Sequence, residues 1–422
     1  MNGYNKNNTI RIFLIIAGLS AFGSHFYNLL KLSLLEPNFL DLAYYYVWGD
    51  LLDKGINFYQ LNLLDQKTFE FLQTHTNIPF SFLRDRPLIS FINPGIVYSP
   101  AFIAFMSLFA KMDFNDATLV WTLLNYSALI ISILVLMKTL DIKIDTINLS
   151  IFSFLVFSFQ PLIECTAIGQ SNLLILCMLV LSLWAVKSER LYMAGLFMAI
   201  AIHIKPQYGF IALLFLLNQM YKPLLSTILA YCSISAASIV VAGMDFQKGY
   251  FMGLLNIGKY TYDKITWEGN ISLLSAVTRV LDGKYIDATI IIHAMFAIAF
   301  TLYTVKHFWR PYKKDLFILE FSWMIALLLL FLPMLEEHYL VLLYFPILVI
   351  YAYLNNLNRF WQSTFIIGFL LVAMKYSLVR FEIFNSGLPS LLANGKLYGL
   401  ILITITIFHC WQKALKQSDV GM

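Results

Sequence analysis

Long apolar runs, separated by short polar breaks, recur along most of this chain. An α-helix needs about 20 apolar residues to cross a hydrocarbon core of roughly 30 Å, whereas strands of a membrane barrel alternate over about ten residues. Of the 422 residues, 59% are hydrophobic and 13% are charged, compared with roughly 45–50% and about 25% in soluble domains. The sequence therefore predicts an all-α, polytopic integral membrane protein.

About twelve segments are predicted to be transmembrane helices, within one domain over residues 1–422. The stretch that begins at Ile12 is too long for a signal-peptide core and lacks a small-residue cleavage site, so it is predicted to remain as the first helix. Short connections rich in Lys and Arg favour the cytoplasm, which places both termini there. The predicted spans are 12–35, 117–137, 147–160, 171–186, 191–203, 207–220, 223–243, 286–305, 315–333, 339–354, 360–375 and 397–411.

Two segments leave the number of transmembrane helices open. The run from Val97 to Ala110 follows Pro94 and includes Pro100, and at this length it fits a re-entrant or juxtamembrane helix better than a span. Residues 191–220 fit either one Pro-kinked helix or two short ones. A lysine in mid-membrane costs roughly 2.5–3.5 kcal/mol, so a break at Lys205 is predicted.

The remaining long polar sequence falls on the extracytoplasmic face, as a first outer loop over residues 36–116 and a second over residues 244–285. The net charge of +5 is explained by the cytoplasmic basic connections, so nucleic acid is not a predicted partner. The four cysteines show no Cys-x-x-Cys spacing, which favours neither a disulfide framework nor a zinc site. Membrane lipids are the predicted surroundings.

Asp41 lies just past the first predicted helix, at the depth where a carboxylate meets the bilayer interface. Desolvation there raises a carboxyl pKa and makes the group a better base, although a solvated helix cap is the simpler reading. Tyr44 follows it by one helical turn.

Gln170 and Asn172 open the fourth predicted span, where side-chain amides and a helix N-terminus favour an anion. An ordinary N-cap is an equal alternative. Lys205, directly before Pro206, adds a cation and freed backbone groups, the equipment of a membrane phosphate site; snorkelling to the interface is the alternative.

Asn270 and the Glu336-Glu337-His338 turn complete the polar set on this face. A lone histidine is more often structural, but two adjacent carboxylates can tune the proton affinity of His338. Carboxylate, amide, lysine and histidine are thus all predicted on one side of the membrane.

In this order the motifs resemble glycosyltransferase family 87, the polyprenol-phosphate-mannose-dependent mannosyltransferases of the C-type membrane superfamily. The resemblance runs from about residue 38 to residue 346, and the last 70 residues carry no matching pattern. It depends on Asp41, Gly55-Ile-Asn-Phe-Tyr59, Tyr98-Ser-Pro100, Gly169-Gln-Ser-Asn172, Lys205-Pro206, Asn270-Ile-Ser272 and Glu337-His338-Tyr339.

The resemblance implies inverting transfer of a hexose, commonly mannose, from a polyprenyl-phosphate donor to a lipid or glycan acceptor outside the cell membrane. Asp41 is implied as the catalytic base, and Lys205 and His338 as cations for the departing phosphate. Gln170, Asn172, Tyr44, Asn270 and Glu337 are expected to bind the sugar or phosphate. Because a phosphate already leaves readily, no metal or cofactor is expected.

Two other functions fit parts of the pattern. A transporter or lipid flippase also places polar groups at broken helices, but it predicts inverted repeats, which are not detected. A glycan polymerase or ligase would keep the lipid-phosphate site and move an oligosaccharide instead of one sugar.

Overall fold

A computed structural model of the chain describes residues 12–27, 39–60, 98–375, 378 and 381–420. Within these ranges the backbone forms α-helices and short 3-10 helices, and no strand. The all-α prediction is confirmed.

The α-helices are numbered in chain order. They are α1 (Ile12–Tyr27), α2 (Leu40–Asp53), α3 (Pro100–Met106), α4 (Phe114–Thr139), α5 (Thr146–Phe157), α6 (Gln160–Ala167), α7 (Asn172–Lys187), α8 (Leu191–Ile204), α9 (Gly209–Leu217), α10 (Tyr221–Ala242), α11 (Met244–Asp263), α12 (Leu273–Val280), α13 (Ile286–Phe308), α14 (Lys314–Phe331), α15 (Tyr344–Tyr353), α16 (Arg359–Ala373) and α17 (Gly395–Val420). The longest 3-10 segments are Glu337–Leu343 and Leu388–Asn394.

The predicted count of about twelve spans is not confirmed. Among the described residues, five helical stretches are long and apolar enough to cross a membrane, or six if the bent pair α5 and α6 forms one span. Each of the twelve predicted segments does overlap a helix, but several of these helices have only 10–17 residues. Helix α14 is long enough to cross a membrane, but it contains three charged residues, Lys314, Asp315 and Glu320. It is therefore not counted among the candidate spans.

The predicted break at Lys205 is confirmed. Helix α8 ends at Ile204, Lys205 is extended with φ −145° and ψ 119°, and Pro206 begins a 3-10 turn that leads into α9. Proline disfavours the helical region for the residue before it, which explains why the helix stops here. A second break separates α5 from α6, whose axes are bent by 61°. Helix α6 occupies most of residues 161–170, which were predicted to be the connection between two spans.

The predicted outer segments are also largely helical where they are described. Helices α2 and α3 belong to 36–116, and α11 and α12 to 244–285. Helix α3 and the 3-10 turn after it end at Lys111 and are too short to span a membrane, as the sequence predicted for Val97 to Ala110. Residues 28–38 and 61–97 lie outside the described residues.

The core lies along α7, α14 and α15, whose side chains are buried on nearly every face. Helices α10 and α13 lie at the periphery instead, as shown by the low burial of their apolar stretches, in each of which only 11% is buried. Since their exposed residues are overwhelmingly apolar, these two helices present a surface suited to lipid.

Helices α8 and α10 approach each other through Gly195. A Cβ atom there would lie 2.4 Å from the Pro223 carbonyl oxygen and 2.6 Å from the Thr227 nitrogen. Both are backbone atoms that cannot rotate away, which explains the small residue at this contact.

Gly195→Ala should therefore destabilise the fold by about 1–3 kcal/mol, because the helices must move apart. The measurement is the unfolding temperature of purified protein in detergent. Gly258→Ala is the matched control, since a Cβ there meets nothing within 4 Å. Equal unfolding temperatures for the two variants would contradict the close contact.

Candidate functional site

The start of α2 docks on the turn between α6 and α7. The backbone N–H groups of Asp41 and Leu42 donate to the Ile168 carbonyl at 2.8 and 3.3 Å. Gly169 follows with φ +72°, and a Cβ there would lie 2.7 Å from the Leu42 Cβ. Both the left-handed backbone and this close contact favour glycine at position 169. The conformation of Gly169 therefore determines how the next residue, Gln170, is directed into the site.

The Gln170 side-chain amide joins a carboxylate to a cation. Its Nε2 donates to Asp41 Oδ2 at 2.7 Å, while its Oε1 accepts from Lys205 Nζ at 3.1 Å and from the Tyr45 hydroxyl at 3.0 Å. The Ser171 N–H also donates to Oε1, at 3.1 Å. Because three donors surround Oε1 and a carboxylate oxygen faces Nε2, the partners determine which end of the amide is the oxygen and which is the nitrogen.

Lys205 is fully buried at the break between α8 and α9. Its ammonium donates to Gln170 and, at 2.9 Å, to Asn172 Oδ1. It also lies 4.1 Å from the centre of the Tyr339 ring, a cation–π contact. Asn172 in turn donates to the His338 carbonyl at 3.0 Å, which connects the α7 N-terminus to the turn before α15.

Asp41 is half-buried and belongs to α2, which is not a candidate span. Burial raises the pKa of its carboxyl to about 6, with a smaller rise from Glu164, while Lys205 and the Gln170 hydrogen bond oppose the shift. The carboxyl is thus ionised at neutral pH and more basic than an exposed aspartate. A carboxylate of this kind suits general-base chemistry.

Glu336 precedes the span that contains α15. Burial, and secondarily the charge of Asp41, raises the pKa of its carboxyl to about 8. At neutral pH Asp41 is therefore charged while Glu336 holds a proton. Two nearby carboxyls with pKa values moved apart are typical of sites that handle protons.

His338 is 2% exposed, with its Nδ1 3.8 Å from Glu336 Oε2. Its Nε2 has no hydrogen-bond partner among the described residues. A buried ring nitrogen left without a protein partner is a place where a ligand can bind.

A cavity of about 360 Å³ lies beside this histidine, and we call it the polar cavity. Its walls come from α6, residues 267–269 and 271, the turn 336–338, Lys375, and the end of the 3-10 segment before α17 together with the start of α17. Its charged lining residues are Glu164, Glu268, Glu336, Glu337, Lys375 and Lys396. Asp41 does not line it, but two carboxyls that do, Glu164 and Glu336, interact electrostatically with Asp41: Glu164 raises the pKa of Asp41, and Asp41 raises the pKa of Glu336.

Glu337 is held in this wall by Lys396. The ammonium of Lys396 is 2.9 Å from Glu337 Oε1 and also donates to the carbonyls of Val372 and Met374 at 2.9 and 2.8 Å. The lysine is 4% exposed. It fixes Glu337 and at the same time satisfies carbonyls at the end of α16.

The other two predicted site residues lie differently. Tyr44 is half-buried and stacks on Trp48 with ring centres 5.6 Å apart. Asn270 is fully buried: its Nδ2 donates to the Pro333 carbonyl at 3.2 Å, and its Oδ1 accepts from the Ser272 and Leu335 N–H groups at 3.1 Å. Both ends of that amide are used by backbone, so Asn270 positions the chain before Glu336.

The structure brings Asp41, Gln170, Lys205, Asn172 and His338 into one connected set. Sequence reasoning missed several members of the surrounding wall. Tyr98 is within a quoted motif and Tyr45 directly follows Tyr44, but neither was singled out. For Glu164 and Lys396 the only signal in the sequence is that each is a single charge beside an apolar run. These four residues contact or line the site.

The sequence model described as glycosyltransferase family 87 matches residues 97–333, more than half of the chain. The match includes Gln170, Asn172, Lys205 and Asn270, and it ends before Glu337 and His338 and starts after Asp41 and Tyr44. No curated protein and no solved structure matches the chain significantly.

Gln170→Leu should move the protonation midpoint of Asp41 above about pH 6, because the hydrogen bond that stabilises the ionised carboxylate is lost. Infrared difference spectroscopy of the carboxyl band against pH measures it, and Asp41→Asn assigns the band. Gln362→Leu, at a half-buried glutamine on α16, is the matched control. An unchanged midpoint in Gln170→Leu would contradict the assigned contact.

Proposed function

Because the chain belongs to glycosyltransferase family 87 and is thus a membrane glycosyltransferase, we propose that it transfers one hexose, most simply mannose, from a polyprenyl-phosphate donor. The acceptor is a lipid or glycan. The observation that carries this proposal is the half-buried Asp41 carboxylate, held by the same amide that binds the buried Lys205. The enzyme family also favours this reading over a transporter or flippase.

In the proposed reaction, the acceptor hydroxyl attacks the anomeric carbon on the face opposite the phosphate. Asp41 takes the hydroxyl proton as the new C–O bond forms. The bond between the anomeric carbon and the phosphate oxygen breaks, and the phosphate leaves with the electron pair. General-base assistance of this kind contributes about 10²–10⁴-fold to the rate, and the anomeric configuration is inverted.

His338 is the second proposed catalytic residue. Its Nε2 is without a partner among the described residues and its ring lines the polar cavity. That atom is available to hydrogen-bond the departing phosphate as its charge develops. Lys205 supports the same charge electrostatically, with two of its three N–H donors already used by amides.

The remaining predicted residues take more specific places in this scheme. Gln170 orients Asp41 and Lys205, and Asn172 orients Lys205, through hydrogen bonds. Both amides are proposed to act on the substrate indirectly, by positioning these two charged groups. Glu337, fixed by Lys396, is proposed to bind sugar hydroxyls in the polar cavity, and Tyr44 to contact the sugar beside Asp41. Asn270 is proposed to act only by positioning the Glu336 turn.

The protein is proposed to reside in the cell membrane with the polar cavity on the extracytoplasmic side. The basic turns between helices support this orientation, because Lys and Arg concentrate in cytoplasmic connections. The sugar donor, the acceptor and membrane lipids are then its partners.

Asp41→Asn should reduce transfer by about 10²–10⁴-fold, because the base is lost while volume and the Gln170 contact are kept. The measurement is transfer of radiolabelled mannose from polyprenyl-phosphate-mannose in membranes that contain equal amounts of protein. Asp53→Asn is the matched control on the same helix, since Asp53 is exposed and pairs with Lys111 at 3.5 Å. Full activity of Asp41→Asn would remove Asp41 as the base.

Lys205→Met should raise the donor KM by about tenfold or more, because the buried positive charge that attracts the donor phosphate is lost. It should also shift the acid limb of the pH–rate profile to higher pH, since Lys205 opposes the rise in the Asp41 pKa. Kinetics between pH 5 and pH 8 test both effects. Lys248→Met, at an exposed lysine, is the control, and unchanged donor KM and acid limb would contradict both roles.

A further inference from the structure

Arg279, near the end of α12, is a buried cation without a counterion among the described residues. Its side chain is 3% exposed, and its one hydrogen bond runs from Nη2 to Asn394 Oδ1 at 2.8 Å. Nε and Nη1 have no partner in the described part of the chain, and none of the ion pairs there includes it. Because a guanidinium stays protonated, burying it unpaired is costly, and an anion from outside the chain would remove that cost.

The other face of α12 borders a large apolar groove. This lipid-facing groove has a volume of about 680 Å³ and runs between α12, α13, α14 and α17. Val277 and Leu281, two residues to either side of Arg279, line it, as do Phe296, Phe300 and Ile405. From Thr289 to Tyr303 it follows α13 over about 21 Å, at 1.5 Å per residue, which is long enough for an extended lipid chain.

Arg279 lines neither space itself but connects residues of both, since its helix neighbours Val277 and Leu281 line the lipid-facing groove. Asn394, its hydrogen-bond partner, lines the polar cavity together with His338. On α17, Leu397 lines the cavity and Ile401, one turn further, lines the groove. An amphiphile with its chain in the groove would therefore have its head at the mouth of the cavity.

We propose that Arg279 binds the phosphate of a long-chain lipid phosphate whose hydrocarbon chain occupies the lipid-facing groove. Nε and Nη1 lie on different edges of the guanidinium, and either one can form a paired contact with a phosphate together with the second N–H of Nη2, whose first N–H goes to Asn394. This inference depends on the proposed function, in which that lipid phosphate is the sugar donor. It adds a second cation to Lys205, whose ammonium is fully enclosed and already shared between two amides.

The decisive experiment is photolabelling of the full-length protein in nanodiscs with a polyprenyl phosphate that carries a diazirine in its chain. Labelled peptides from residues 273–281 or 289–303 are expected. Arg279→Gln should lower labelling and raise the donor KM by about 10- to 100-fold, the usual range for a hydrogen bond to a charged group. Arg359→Gln, at an exposed arginine at the start of α16, should change neither.

Val277→Trp fills the groove without altering the charge and should reduce labelling as well, so the test does not depend on one variant. Unlabelled polyprenyl phosphate should compete, whereas phosphatidylglycerol vesicles and inorganic phosphate should not at matched concentrations. Equal competition by either would overturn the proposal, as would labelling that stays at the wild-type level in Arg279→Gln and Val277→Trp or maps to other helices.

Stability separates a ligand-binding arginine from a structural one. Arg279→Gln should unfold in lipid-free detergent at the same temperature as the wild type or higher, because an uncompensated buried charge is removed. A lower unfolding temperature with unchanged labelling would assign Arg279 to packing against Asn394. Asp41→Asn tests the proposed function separately from the binding of the lipid phosphate. It should be labelled like the wild type but transfer sugar about 10²–10⁴-fold more slowly, and normal transfer would reject the proposed reaction without affecting the Arg279 site.

Discussion

The Gln170 amide is the contact on which the polar centre of this protein depends. It holds a carboxylate on Nε2 and an ammonium on Oε1, so the two charges face each other through a neutral, polarised group and do not collapse into a direct ion pair. A direct pair would keep the carboxylate strongly acidic and occupied. With the amide between them, Asp41 retains a raised pKa of about 6 and one oxygen free of the Gln170 bond. The cost of burying Lys205 is offset at the same time by two amide oxygens and an aromatic ring.

The sequence predicted the parts of this arrangement that follow local rules. Pro206 determines the break at Lys205, whereas the left-handed conformation of Gly169 and its contact with α2 are known only from the structure. The all-α class followed from apolar run length. The joining of α2, α7, α8 and the turn before α15 into one site came only from the family resemblance, since no local pattern specifies which polar residues meet.

Other features were beyond sequence reasoning for physical reasons. Arg279 and Asn394 are 115 positions apart, and each alone is an ordinary polar residue near an apolar run. The family resemblance implied Asn270 as a substrate-binding residue, and no sequence pattern indicated that its amide is used by backbone from two segments. The span count stays unconfirmed for a related reason: apolar length shows that a helix is buried, but not whether lipid or protein surrounds it.

The helices with exposed apolar faces differ in length, which bears on the thickness of the bilayer that each of them matches. Peripheral helices α10 and α13 have 22 and 23 residues, which is about 33–35 Å at 1.5 Å per residue. Helix α16, which exposes Phe360, Ile366 and Leu370, has 15 residues and is about 22 Å long, well short of a hydrocarbon core of roughly 30 Å. Hydrophobic mismatch of this kind thins the adjoining leaflets. A bilayer that matched α16 would be thinner there than beside α10 and α13, and it would bring lipid headgroups and water closer to the end of α16, whose carbonyls are held by Lys396 of the polar cavity.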